Sequence, residues 1–151
     1  MNNKVKISFR NKPYPLAIEM RPLWRISLIV IISNIMNLKK KPLDIKKLNI
    51  LLWMTIKHQN RSLFEKFLIE NNAPIPFISS DQANYVAIEL AFSKNLLMFD
   101  KKNEKLLITK KSIQLFKLIV ANDLFKNEIE FMSNFGFHIT KKLVDKIIGK
   151  I

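Results

Sequence analysis

Cysteine is missing from this chain. Disulfides and thiolate metal sites are therefore excluded, and the composition suits a cytoplasmic setting. Glycine is almost missing too, with only Gly136 and Gly149. A phosphate-cradling loop needs several glycines ahead of a helix, so ATP binding by such a loop is excluded. The two histidines, His58 and His138, stand far apart with no HxH or HExxH spacing, which argues against zinc. Acidic residues number 12 against 26 basic ones, and they are scattered. Glu128 and Glu130 are two apart and cannot share a helix face. No paired acid and base, no two-metal arrangement and no serine in a glycine-framed turn stands out. The chain reads as a non-enzyme with no cofactor and no metal. Its longest apolar run, 26–32, is far shorter than the ~20 residues that span a bilayer. No small-residue cleavage site follows that run, so it reads as a buried helix, and no membrane partner is expected.

What is present is a core and a positive charge. Apolar residues make up 48% of the 151, enough for one domain with an interior. The formal net charge of +14 points to nucleic acid, an anionic surface or an acidic protein partner. Lysines greatly outnumber arginines, and a solvated lysine face accounts for much of this excess. The lysines fall into three clusters: 39–41 with 46 and 47, then 101, 102, 105, 110 and 111, then 141, 142, 146 and 150.

Along the chain, Val5, Ile7 and Phe9 alternate with polar residues as in a short strand. Pro22 suits the first position of a helix over about 23–37 that is apolar nearly all round. Lys39-Lys40-Lys41-Pro42 ends it. A second helix is expected from 43 or 44 to 58, with Lys46 and Lys47 away from its apolar face. Asn60 is expected to cap a third over 61–71, with Phe64, Phe67 and Leu68 inward. Residues 73–78 read as extended. Thr109 caps a helix from 110 to about 125, and 127–135 is a shorter one with Gly136 as its C-cap. Thr140 starts the last helix, with Leu143, Val144, Ile147 and Ile148 on one stripe.

The segment 79–109 is the most informative. Ser79 and Gln82 form a capping-box pair at the start of a helix over 81–95. Two apolar runs follow, 96–99 and 106–108, separated by a charged tip. A helix followed by a β-hairpin is the second half of a winged helix-turn-helix. The expected fold is therefore mostly α with a small β-hairpin, a winged helix with extra N- and C-terminal helices. Residues 1–20 are a strand and an irregular lead-in, 21–109 the winged helix, and 110–151 a helical extension. A DNA-reading helix would carry Arg, Asn or Gln toward the groove. This one carries Lys94 against Asp81 and Glu89. On a helix wheel Ala83, Val86, Ala87 and Leu90 share one face, and Tyr85, Ile88 and Phe92 the opposite one. The latter three are the expected partner-binding residues. Lys101, Lys102, Lys105, Lys110 and Lys111 are the expected contacts to a nucleic-acid backbone, which would be insensitive to sequence.

The run Pro42 to Trp53, the Arg21-Pro22-Leu23 lead into an apolar helix, the helix before the hairpin and the Thr109-Lys110-Lys111-Ser112 helix start resemble the middle component of bacterial ABC-type three-component, Lamassu-like anti-phage defence systems. The resemblance spans roughly 21–148. It implies a winged-helix accessory subunit of an SMC-like ATPase, partnered by that ATPase and an effector nuclease subunit, with no catalytic residues of its own. The chain departs from the pattern in its lysine-rich, glycine-poor composition and in an insertion over 60–72. The competing expectation is a stand-alone winged-helix DNA-binding transcriptional regulator.

Overall fold

The computed structural model describes residues 21–70 and 82–148. Among them the chain is mostly helical, with one two-stranded antiparallel sheet. The expected strands near 5–9 and 77–78, and the Ser79 half of the capping box, lie outside the described residues.

Helix α1 (Pro22–Leu38) is the central element. Proline occupies its first turn, where a missing N–H costs nothing. From Arg25 to Met36 every residue except Ser27 is buried, because α1 is covered on several sides. Two of its buried polar side chains bond to the preceding turn of the helix. Ser33 Oγ donates to Ile29 O at 2.7 Å, and Asn34 Nδ2 donates to Val30 O at 2.8 Å. Asn34 also reaches Ser112 Oγ at 3.0 Å, which ties α1 to a later helix. The backbone amides of Lys39, Lys40 and Lys41 close its C-terminal end on Ile35 O, Asn37 O and Met36 O.

Helix α2 (Ile45–Ile56) starts where Asp44 accepts from Lys47 N at 2.7 Å, an N-cap. Helix α3 (His58–Ile69) begins earlier than expected. Asn60 lies inside it and is no cap. Its side chain instead donates to Trp53 O at 2.7 Å, so its polar group serves the end of α2. Phe64 is fully buried against Trp53 and Phe67, as the inward assignment required.

Helix α4 (Gln82–Ser93) packs on α1 and leads into strands β1 (Leu97–Asp100) and β2 (Lys105–Ile108). Met98 pairs with Leu107 and Phe99 with Leu106. Asp100 shapes the tip by accepting from Lys102 N at 3.0 Å and from Asn103 Nδ2 at 2.8 Å. The outer edge of β2 meets the α1–α2 turn, where Leu106 N donates to Leu43 O at 2.8 Å.

Thr109 caps helix α5 (Lys110–Ala121): its oxygen accepts from Ser112 N at 3.1 Å and its hydroxyl donates to Asn95 O at 2.6 Å. The helix stops short of 125, because Asp123 and Phe125 adopt left-handed backbone conformations (φ 55° and 56°). Helix α6 (Lys126–Phe135) follows. Gly136 is not the left-handed cap expected of it. It is right-handed (φ −57°) and continues into a 3-10 turn, Gly136–His138. A Cβ there would meet the flexible end of the Met132 side chain, which can shift. Thr140 Oγ accepts from Leu143 N at 3.2 Å at the start of α7 (Lys141–Ile148), which buries Val144 and Ile147. Helices α5 and α6 pack on α1, and α7 packs on α2, so the extension over 110–148 shares one core with the preceding elements.

Candidate functional site

Helix α4 and the hairpin carry the residues singled out in the sequence. The buried stripe of α4 is Asn84, Ala87, Ile88 and Ala91, at i, i+3, i+4 and i+7. Asn84 is polar and buried. It occupies a core position because Arg25, itself buried in α1, donates through Nη1 to its Oδ1. This rotates the helix relative to the expected wheel and corrects the partner-binding set. Ile88 is 4% exposed and belongs to the core. Phe92 is half-buried against that core. Tyr85 alone of the three faces out, 44% exposed, and beside it stands Val86, 41% exposed. The outward face is thus Gln82, Tyr85, Val86, Glu89 and Ser93. Val86, expected inward, is the residue that the wheel missed. On the hairpin Met98, Phe99 and Leu107 are also exposed.

The lysine set is redistributed as well. Lys101, Lys102, Lys105 and Lys110 are exposed, as expected of charged side chains. Lys111 is committed elsewhere: its Nζ donates to Lys94 O at 3.0 Å, at the carbonyl end of α4. Lys40 and Lys41 belong to a separate cluster in the sequence, but the fold sets them beside Lys105. The three line a cleft of ≈ 280 Å³ between the end of α1 and the outer edge of β2. Only the tertiary structure brings these residues together, through the Leu43–Leu106 backbone bond.

Among the described residues two titrating groups are shifted. At the hairpin tip the Asn103 side chain, and then the Asn103 and Lys102 amides, hold the Asp100 carboxyl below its ordinary value. Lys47, expected on the solvent side of α2, is buried. Its stem packs inside while Nζ donates to Pro42 O at 3.1 Å. Burial lowers its pKa; Asp44 opposes that shift and nearby Lys41 adds to it.

His58 and His138 are both exposed. No group of three or more His, Cys, Asp or Glu residues that could hold a metal occurs among the described residues. Among the same residues no helix is long and apolar enough to cross a membrane. The chain matches no protein-family model, no curated protein and no solved structure.

Proposed function

We propose that this chain is a non-catalytic winged-helix accessory subunit of an SMC-like ATPase complex in Lamassu-type anti-phage defence, bridging the ATPase and its effector nuclease. The observation that carries this reading is the outward face of α4. In a winged helix that reads DNA, this helix presents base-contacting and cationic side chains to the groove. Here it presents Tyr85, Val86 and Glu89, which suit a protein surface better than a polyanion. The order α1, α2, α4, hairpin supports the winged-helix assignment, with α3 as an insertion. The Leu106 N to Leu43 O bond supports it further, because it stands where a winged helix adds its third strand.

The test begins with the neighbouring genes. A gene for a long coiled-coil ATPase alongside supports the proposal. Co-expression then decides it. Tyr85→Ala with Val86→Ala should leave thermal unfolding unchanged, since both side chains are exposed, and should abolish co-purification with the tagged ATPase. Undiminished co-purification would remove α4 as the docking helix, and no association of the unmodified chain would remove the reading altogether. The second reading, a stand-alone DNA-binding regulator, draws on the hairpin lysines. It requires tight, sequence-selective duplex binding at physiological salt.

A further inference from the structure

We infer that the cleft between the α1–α2 turn and strand β2 is a seat for the phosphodiester backbone of a nucleic-acid duplex, gripped by Lys40, Lys41 and Lys105. This places the backbone contact at the edge of the hairpin, not at its tip or at Lys110 and Lys111. It does not depend on the ATPase proposal, since it concerns the isolated chain.

Four observations converge on it. First, the cleft has the size of a small-ligand site, ≈ 280 Å³, and its lysines come from two chain segments far apart in sequence. Second, the end of α1 is closed by backbone amides. The carbonyls of Ile35, Met36 and Asn37 accept the amides of Lys39, Lys41 and Lys40, which fixes the turn that carries these side chains. Third, the nearby carboxylates are engaged. Asp44 caps α2 and Asp100, which stands opposite Lys105 across the hairpin and acts on it electrostatically, closes the tip, so these carboxylates offset only part of the positive charge. Residues 39–47 and 100–105 together hold eight lysines against three carboxylates. Fourth, the frame is fixed. The Leu106–Leu43 bond locks the turn to the hairpin, and both side chains are buried (7% and 5% exposed).

The shape selects a nucleic acid over a lipid surface. A bilayer calls for coplanar cations with apolar side chains projecting between them. Here Leu43 and Leu106 are buried, Leu107 is the exposed apolar side chain of the lining, and the three lysines line a recess in which a phosphate strand can lie. Lysine contacts of this kind confer affinity without sequence choice.

The experiment measures binding of the full chain to a short DNA duplex and to an RNA duplex across a salt series. The triple variant Lys40→Ala, Lys41→Ala, Lys105→Ala is compared with Lys141→Ala, Lys142→Ala, Lys146→Ala, which removes the same charge from α7. Loss of three duplex phosphate contacts lowers the slope of log affinity against log salt by about 2.7. The cleft variant should show this and lose at least about tenfold in affinity at low salt, on every sequence alike. The α7 variant should stay close to the unmodified chain. Lys→Arg at the three cleft positions should retain binding, which separates loss of charge from loss of fold. Equal losses in the two alanine variants would overturn the inference, as general charge would then suffice. So would absence of duplex binding at low salt, or lysine-dependent binding to phosphatidylserine vesicles with none to either duplex.

Discussion

Replacing Asn84 with alanine tests how the orientation of α4, and with it the proposed docking face, is set. Asn84 is buried and accepts from the equally buried Arg25 guanidinium. A hydrogen bond to a charged group contributes about 1.5–3 kcal/mol, and its loss leaves part of a buried cation less well solvated. Alanine recovers up to ~0.7 kcal/mol through its better helix propensity. The net cost is about 1–2.5 kcal/mol, or a fall in Tm of roughly 3–8 °C for a chain of this length. Urea and thermal unfolding should both report it. Arg25→Met should cost a similar amount, because it leaves the Asn84 carbonyl buried without that donor. The decisive measurement is the double-mutant cycle. Arg25→Met with Asn84→Ala should cost less than the sum of the single changes by about 1 kcal/mol or more, since both halves of the pair vanish together. Additivity within ~0.3 kcal/mol would refute the coupling. The orientation of α4 would then rest on Ala87, Ile88 and Ala91 alone.

Thr109→Ala should cost more than Asp44→Ala, about 2 against about 1 kcal/mol by urea unfolding, because Thr109 both caps α5 and donates to Asn95 O. Asp100 should titrate below 3.8 by carbon-detected NMR. As its folded pKa is depressed, its stabilising effect is complete above the unfolded value and is lost as pH falls through the folded one. Asp100→Asn should flatten stability in that acidic window. Lys47 behaves oppositely to a lysine that gains an ion-pair partner. Its folded pKa is lowered from 10.5, so the unfolded chain holds the extra proton, and stability should rise with pH from the lowered value up to about 10.5. Lys47→Met should abolish that rise and be neutral or stabilising at pH 7; clear destabilisation there would show that the bond to Pro42 O outweighs the burial of charge.

The elements that sequence reading recovered are those fixed by neighbours in the chain. Pro22, Thr109 and Thr140 mark helix starts because a cap acts within three residues, and the hairpin follows from two short apolar runs around a polar tip. Most of what it missed depends on distant partners. Asn84 looks like an outward residue until Arg25 is placed opposite it. Lys47 looks like a solvent-facing lysine until Pro42 O turns toward it. Asn60 has the composition of a cap, but its amide is claimed by Trp53 O. Gly136 reads as a left-handed terminator, whereas its backbone is right-handed and runs on into a 3-10 turn. The candidate site divides along the same line. The hairpin lysines were visible as a run, but their convergence with Lys40 and Lys41 was not, because it depends on a bond between Leu43 and Leu106.

The scarcity of glycine reappears in the backbone as a cost of evolution by composition. Lys40, Asn95, Glu104, Asp123 and Phe125 all turn corners with positive φ, between 54° and 59°. Glycine enters that region freely, but a side chain pays about 1–2 kcal/mol there, with less for Asn and Asp. These corners are therefore a reserve of improvable positions in an otherwise well-filled molecule. Lys40 is best left alone if the cleft matters, and Phe125 is held by its ring packing on Trp24, 5.7 Å between centroids. Glu104 has neither constraint. A glycine or asparagine at that exposed corner would relieve the backbone without touching the core or the α4 face, and would remove one negative charge beside Lys105.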